Sequence, residues 1–473
     1  MNCILFSAVN NVDGYKFGQF LQYDPEVLDV FSYGSSRGSK LQNIDATVYV
    51  GLQYYLKEYL SKPVTMEEID FTKKFCEIYG VKFNYEGWKY IVEQYDGYLP
   101  LTIKSVPEGS IIPCKNVLYT VHANDPKCFW LVSYIETSIM RILWYPTTVA
   151  TISYNVKKIL YKYLKETSDQ IASLEYGGLS DFGARGVSST ESALIGGMAH
   201  AFIFSDSSDN VFGLMAAMKY YGYKLRKATI NASEHSSTGS WGKDHEHDMF
   251  SNMIDQYGDQ GFATVIDTYH VDNALLDWIN SGLLKRIKEA GTFAVLRPDS
   301  GEPHLVIERL LKICDKHLSD EIVINSKGYK VLPSYLRFIY GDSMSLEYIP
   351  KFLEYIKTLG WSTENVVCIG MGGKLLQAGI DRDTFKFAMK CSSVLKKDGW
   401  HDVFKDPIDD AGKASFKGRL TLIKDDQNNY KTIRIEDLSD RKEELETVFE
   451  NGKIIKEYNF DEIRERANEY FNS

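Results

Sequence analysis

Five short apolar runs, each stopping in polar or glycine residues, constrain this chain more than any other feature. They are KATINASEH (Lys227 to His235), GFATVIDTYH (Gly261 to His270), TFAVLRPDSG (Thr292 to Gly301), YLRFIYGDS (Tyr335 to Ser343) and NVVCIGMGGK (Asn365 to Lys374). A run this short, flanked by turn chemistry, reads as a core strand. Amphipathic patterns such as ALLDWINSGLLKRIKEAG, HLVIERLLKICDKHL and LEYIPKFLEYIKTLG lie in most of the intervals and read as helices. Strands alternating with helices predict parallel βα units. Such sheets carry their sites at the carboxyl ends of the strands, atop a (β/α) barrel or at the switch point of a doubly wound sheet. Spacing admits both; the number of units and the charged strand ends favour the barrel.

Within that frame the strand ends matter most. In LRPDSG, Arg297 and Asp299 taken alone make a strand-end salt bridge. If all the ends converge, the mouth also holds Arg185, His235, Asp267, Asp342 and the Gly370-Met371-Gly372-Gly373 loop. A glycine-rich turn after a strand offers backbone N–H groups to a phosphate, or serves close packing. Carboxylates at Asp299 and Asp342 suit ribose hydroxyls, and the planar guanidinium groups of Arg297 and Arg185 suit pyrophosphate oxygens. His235 beside Asp267 predicts an imidazole with one nitrogen held and the other free for attack or proton transfer.

The rest of the chain sets the surroundings. Its 473 residues accommodate two domains. A formal net charge of −10 argues against a nucleic-acid surface overall and leaves room for a local basic pocket. The cysteines number seven, an odd count with no CxxC pair, which fits free thiols in a reducing cytoplasm and no structural zinc. The N-terminus lacks the basic region of a signal peptide. No apolar stretch approaches the roughly 20 residues of a membrane helix.

Before the βα rhythm, Val30 to Gly38 reads as a strand ending in a loop that presents Arg37. Met66 to Tyr79 reads as a helix capped by Thr65, and Leu99 to Val121 as antiparallel strands joined by the tight turn Pro-Glu-Gly. Pro146 is expected to end or kink the apolar helix that starts near Phe129, close to a domain junction. Leu179 to Gly186 reads as a short polar turn and SSTESALIGGMAHAF as a helix. Lys386, Lys390, Lys405, Lys417 and Arg419 give the C-terminal region a basic bias. The expected architecture is α/β: a barrel-like catalytic domain over residues 146–384, plus a mixed α+β domain from residues 1–145 completed by 385–473.

Several further motifs occur in one order nearly end to end: DGYK (Asp13 to Lys16), YDGYLP (Tyr95 to Pro100), VPEG (Val106 to Gly109), DFGARGVSS (Asp181 to Ser189), SEHSS (Ser233 to Ser237), WGKDHE (Trp241 to Glu246), LRPDSG, NSKGYKVLP (Asn325 to Pro333), Gly341-Asp342 and VFKDP (Val403 to Pro407). On these the chain resembles the nicotinamide phosphoribosyltransferases, type II phosphoribosyltransferases of NAD salvage. The resemblance implies transfer from 5-phosphoribosyl-1-pyrophosphate to nicotinamide, with Mg2+, with ATP as co-substrate, and in a cytoplasmic homodimer with no nucleic-acid or membrane partner. It places the nicotinamide ring between Phe182 and Tyr15 of the other subunit, with Arg185 beside it and Asp209 accepting from the carboxamide. It assigns the ribose to Asp299, Gly341 and Asp342, the 5′-phosphate to Gly372, Gly373 and Arg382, and pyrophosphate or ATP to Arg37, Lys390 and Lys405. Arg297 faces the pyrophosphate, and His235, oriented by Asp267, is the histidine phosphorylated by ATP. No metal ligand is assigned. The sequence departs from the family pattern at Ser180, Ala184, Met371, Lys374 and in the stretch FGQFLQY after DGYK. The competing expectations are the nicotinate-specific enzyme, which Asp209 disfavours because a carboxylate repels nicotinate, and an inactive barrel kept for binding.

Overall fold

The computed structural model describes residues 6–171, 174, 178–205, 207–226, 229–405 and 415–472. Lys227, Ala228, Asp406 and Pro407, which belong to stretches quoted above, lie outside them. Two compact units divide the chain. One comprises Ile152–Met218, Tyr223–Gly379 and Tyr470–Ser473; the other comprises Met1–Thr151, Lys219–Gly222 and Ile380–Glu469.

The first of these contains six parallel strands: β1 (Gly178–Asp181), β2 (Asn231–Ala232), β3 (Phe262–Val265), β4 (Ala294–Arg297), β5 (Leu336–Tyr340) and β6 (Val366–Met371). Their order in the sheet is β1-β6-β5-β4-β3-β2. Each strand from β2 onward pairs with the next in sequence, and the last returns to pair with the first. A doubly wound sheet reverses direction at a switch point; this one does not, so it is a curled, barrel-like sheet. Single-residue pairing of Asp181 with Ser208, also parallel, carries the curl beyond β1. All five anticipated strands are present. Leu179–Asp181, expected as part of a polar turn, belongs instead to the buried strand Gly178–Asp181: its polar Ser180 and Asp181 are carried inside by pairing with Gly370 and Met371.

The inner strands β3 and β4 are buried on both faces, as parallel sheets require, while the edge strand β2 is exposed. The helix Pro303–His317 shows how the outer layer is made. Val306, Ile307, Leu310, Leu311 and Cys314 form one buried stripe at helical spacing, and Pro303 occupies the first turn, where its missing N–H costs nothing. The pattern ALLDWINSGLLKRIKEAG proves to be two helices, Val271–Asn280 and Leu283–Glu289. Gly282, at φ +92°, makes the break in a conformation that L side chains rarely adopt.

The other unit is built on a seven-stranded antiparallel sheet in the order Gly399–Asp402, Phe387–Lys396, Asp29–Ser36, Val117–Ala123, Leu101–Ser105, Glu446–Glu450, Lys453–Ile454. Strands from both ends of the chain interleave, which makes one α+β domain from N- and C-terminal segments. Thr65 caps the helix Met66–Tyr79 in a full capping box with Glu68, as its sequence implies. Leu101–Ser105 and Val117–Ala123 pair antiparallel, but Pro107-Glu108-Gly109 does not join them as a tight turn. Between them Ile111–Pro113 pairs with Ala46–Val48, while the buried Glu108 carboxylate accepts N–H bonds from Gly51 at 2.9 Å and Gln53 at 2.6 Å.

Pro146 does not end the helix, which continues past it from Glu136 to Thr167. Gly51 lies so close that a Cβ there would fall 2.7 Å from Pro146 Cγ. The Thr147 hydroxyl donates to the Val50 carbonyl at 3.1 Å, and Thr151 Oγ1 accepts the Val48 N–H at 2.9 Å. These tertiary bonds offset the single helical bond a proline removes. Among the described residues, no helix is long and apolar enough to cross a membrane.

Asp29, at the start of its strand, gives this unit a testable pH response. Burial pushes its carboxyl up from the ordinary 3.8 to about 6, against backbone N–H bonds from Ala123 and Val30 and the nearby His122. Between these two values the folded chain holds a proton that the unfolded chain has released, so stability falls as pH rises through the window. Asp29→Asn keeps both acceptor bonds and removes the charge. Unfolding free energies from urea titration are expected to match wild type at pH 3 and to exceed it at pH 8, by about 3 kcal/mol.

Candidate active site

The chemistry gathers where the strands of the barrel-like unit end. After β3 the ladder continues for one residue, the Ile266 N–H donating to the Arg297 carbonyl at 3.1 Å. Asp267 follows, with its side chain 3% exposed. Its Oδ1 lies 3.1 Å from His235 Nε2, and its Oδ2 accepts the backbone N–H of Asp299 at 3.0 Å. One buried carboxylate therefore links the ends of β2, β3 and β4. His235 opens the short helix His235–Gly239 and is 46% exposed. With Asp267 on Nε2, the proton sits on that nitrogen and the Nδ1 lone pair is left outward, without a partner among the described residues. Ser233 steadies this corner by accepting the Val265 N–H at 3.0 Å and hydrogen-bonding Thr264 Oγ1 at 3.0 Å.

Arg297 and Asp299 do meet, but only at 3.5 Å between Nη2 and Oδ2. Arg297 Nε is buried and has no partner among the described residues. A structural salt bridge would be shorter and would satisfy the guanidinium; this pair leaves donors over for a ligand.

Phe182 supplies an aromatic platform over the ends of β5 and β6. A Cβ on Gly370 would fall 2.1 Å from its Cε2, and one on Gly341 would fall 3.3 Å from Cε2 and 3.5 Å from Asp299 Oδ1. Glycine at 370 is thus what admits the ring. The Phe182 N–H donates to the Met371 carbonyl at 2.9 Å, and Gly183 and Gly186 pack against Gly372 and Gly373 closely enough to exclude side chains. Met371 is buried in β6, so this departure from the family pattern does not fill the glycine loop. Lys374 Nζ reaches the Ser343 carbonyl at 3.5 Å, beside Asp342, whose Oδ2 accepts from the Ser343 hydroxyl at 2.9 Å. Arg185 is exposed at the rim, on the short turn after Phe182. Asp209 is also exposed; its N–H donates to the Asp181 carbonyl at 3.2 Å, and its Oδ1 accepts from Thr229 Oγ1 at 3.2 Å.

Sequence reasoning missed three groups here. Thr229 pins one oxygen of Asp209, and Asp181 and Asn210 lie buried beneath. Glu246, inside the motif WGKDHE, has a buried Oε1 with no partner among the described residues. Burial, and then the charges of Asp277 and Asp267, raise its pKa. Only its place in that motif marked it.

Tyr15, Arg37, Arg382, Lys390 and Lys405 belong to the other unit. Tyr15 is 62% exposed on the helical segment Gly14–Leu21, next to Lys16, which is almost buried and paired with Glu136 at 2.6 Å. Lys390 lines a cavity of about 620 Å³ together with Lys16, Tyr23 and Glu136. Burial lowers its pKa; Glu136 opposes, while Arg37, Arg382 and Lys16 push it further down. Three cations thus disfavour the charge on Lys390, although Lys16 is paired with Glu136 and Arg382 with Asp383 at 3.3 Å; an anion beside Lys390 would relieve it. The described contacts do not join Lys405 to this group; its backbone N–H donates to Ser415 Oγ at 3.0 Å. Among the described residues no group of three or more His, Cys, Asp or Glu side chains stands ready to hold a metal.

The profile described as the nicotinate phosphoribosyltransferase (NAPRTase) family matches residues 178–453, and that of the nicotinamide phosphoribosyltransferase N-terminal domain matches residues 7–103. The nicotinamide phosphoribosyltransferase of Xanthomonas campestris pv. campestris (strain 8004) is 40% identical over 464 residues, 97% of each chain. Nicotinate-nucleotide pyrophosphorylase from Pyrococcus furiosus superposes with a TM-score of 0.63 at 14% identity, covering 99% of this chain and 97% of its own. Human nicotinic acid phosphoribosyltransferase does so with 0.54 at 14% identity, covering 97% and 93%. These two likenesses concern the fold; the sequence match carries the kinship. The chain belongs to the nicotinate phosphoribosyltransferase family, within it to the nicotinamide phosphoribosyltransferases, and is an enzyme of phosphoribosyl transfer.

Proposed function

We propose that the enzyme joins nicotinamide to 5-phosphoribosyl-1-pyrophosphate, releasing nicotinamide mononucleotide and pyrophosphate, and that it couples this to ATP hydrolysis through a phosphohistidine at His235. The observation that carries the reading is the hydrogen-bonded chain from the His235 imidazole through the Asp267 carboxylate to the main-chain N–H of Asp299, which gathers the ends of three strands at the mouth of the barrel.

Phe182 stacks on one face of the nicotinamide ring, and Tyr15 from the second subunit of a homodimer covers the other. Asp209, with Oδ1 engaged by Thr229, keeps Oδ2 for the carboxamide NH2. A carboxylate in this place attracts an amide donor and repels nicotinate. Arg185 lies beside the carboxamide and pyrophosphate. Asp299, Gly341 and Asp342 hold the ribose; Gly372, Gly373 and Arg382 take the 5′-phosphate. The pyridine nitrogen attacks C1 as the bond to pyrophosphate breaks, through a transition state with oxocarbenium character. Arg297, whose side chain is 19% exposed, faces the leaving pyrophosphate.

In the other half of the cycle, Asp267 holds the Nε2 proton and Nδ1 of His235 attacks the γ-phosphorus of ATP. The N–P bond forms as the P–O bond to ADP breaks, and water later releases phosphate. Arg37, Lys390 and Lys405 neutralise the polyphosphate, and the crowding of cations around Lys390 supports this. The residues fit Mg2+ only where substrate oxygens supply most of its ligands, with one or two carboxylates added. Bound that way, it would neutralise the pyrophosphate. The proposed setting is the cytoplasm.

The nicotinate-specific alternative keeps the fold and the histidine chemistry and differs at the base. Initial rates with each base at saturating 5-phosphoribosyl-1-pyrophosphate separate them. Nicotinamide is expected to win by at least about 100-fold in kcat/KM, and a preference for nicotinate would refute the assignment of Asp209.

A further inference from the structure

We infer that Asp181 and Asn210 form a buried clamp that sets the separation between the ring platform at Phe182 and the carboxylate of Asp209, and so helps determine how well the enzyme tells nicotinamide from nicotinate. The inference rests on the proposed role of Asp209.

Asp181 ends β1 and is 0% exposed. Its Oδ1 accepts the N–H of Gly183 at 2.7 Å, the residue after Phe182. Its Oδ2 accepts from Asn210 Nδ2 at 2.9 Å, the residue after Asp209. Its main-chain carbonyl accepts the N–H of Asp209 itself at 3.2 Å, and it is bridged to Ser208. One residue thus holds the backbone at both proposed base contacts. Asn210, also 0% exposed, is equally committed: Nδ2 donates a second time to the Ala193 carbonyl at 2.8 Å, and Oδ1 accepts the Gly213 N–H at 3.2 Å. Packing leaves it no alternative place, since a Cβ on Gly197 would fall 2.3 Å from its Nδ2.

No cation forms an ion pair with Asp181 among the described residues. His200, the nearby imidazole, is buried too, and burial lowers its pKa; its ring nitrogens are taken by Ser153 Oγ at 3.0 Å and the Ser207 carbonyl at 3.1 Å. Burial likewise raises the pKa of Asp181, with His200, Asn210 and Gly183 opposing. Burying a carboxylate is costly, and apolar packing of the same volume often stabilises as well or better. What the polar pair supplies is direction: two short bonds fix where the loops stand, and misplacement of a binding group by about 1 Å costs up to 100-fold in rate.

Asp181→Asn preserves shape and the Gly183 bond but sets an amide NH2 against the NH2 of Asn210. The KM for nicotinamide is expected to rise about tenfold and the nicotinamide-over-nicotinate ratio of kcat/KM to fall by a similar factor. The KM for 5-phosphoribosyl-1-pyrophosphate and kcat at saturating nicotinamide are expected to stay within about twofold. A loss of stability alone would lower the melting temperature without touching that ratio, and an unchanged ratio overturns the clamp. If Asp181→Asn does not fold, Asn210→Ala carries the same test with the Asp181–Gly183 bond intact; failure of both to fold assigns the pair to stability and overturns the proposal. Asp209→Asn is run beside them. If it leaves base preference unchanged, the role of Asp209 falls and the clamp's with it. If it alone changes preference, only the clamp falls.

Discussion

Asp299→Ala is expected to abolish turnover and leave the fold in place. The side chain is 30% exposed, and its one ion-pair contact among the described residues, to Arg297, is 3.5 Å long. An exposed contact of that length contributes at most about 1 kcal/mol. The bond that ties this corner together, to Asp267 Oδ2, comes from the main-chain N–H of residue 299, which alanine keeps. Stability should therefore fall by less than about 1 kcal/mol, read as a small shift in urea midpoint. The proposed contact to the ribose is different in kind, because it strengthens as positive charge develops at C1. Removing a group aimed at transition-state charge costs about 100- to 1,000-fold in kcat, and loss of the Arg297 partner disturbs the pyrophosphate side as well. A variant that unfolds would return Arg297 and Asp299 to the role of a strand-end salt bridge. One that retained more than about a tenth of wild-type kcat would remove Asp299 from the catalytic group.

Much of this corner is legible in the sequence because its residues sit at strand ends, and strand ends are marked in sequence by the abrupt stop of an apolar run. His235, Asp267, Arg297, Asp299 and Asp342 all follow such stops, and the sheet brings the first four into one linked corner. What pattern reading could not see was pairing across distance. Gly178–Asp181 looks like a turn because two of its four residues are polar, and only pairing with β6 makes it a strand. Pro146 looks like a helix end because the bonds that carry the helix past it come from residues about a hundred positions away. Asp181 and Asn210 carry no sequence signal of their partnership, being 29 residues apart in segments without a shared period. Tyr15, Arg37, Lys390 and Lys405 entered through family resemblance alone. For Lys390 the structure adds an independent reason, a partly buried cation among other cations.

His235→Ala is expected to sever ATP hydrolysis from synthesis without stopping synthesis altogether. The imidazole contributes one nitrogen to Asp267 and offers the other outward. Alanine removes the proposed acceptor of the phosphoryl group but leaves Asp299, Arg297, Phe182 and Asp209, the groups proposed to hold the transferring sugar and base. Asp267, nearly buried, keeps the Asp299 N–H and loses its imidazole partner, at a cost of about 1–3 kcal/mol that the urea midpoint will register. Three readouts follow. Wild type incubated with γ-labelled ATP should retain acid-labile label, and the variant none. Wild type should release ADP in step with nicotinamide mononucleotide, and the variant should make product with no ADP. ATP should raise the wild-type rate at low 5-phosphoribosyl-1-pyrophosphate by roughly tenfold or more, about 1.4 kcal/mol of added driving force or barrier reduction, and the variant's not at all. Equal stimulation of both proteins by ATP would show that the phosphoryl group is not carried on His235. The Asp267 contact would then be an orienting bond for some other role of the imidazole, such as proton transfer at the mouth.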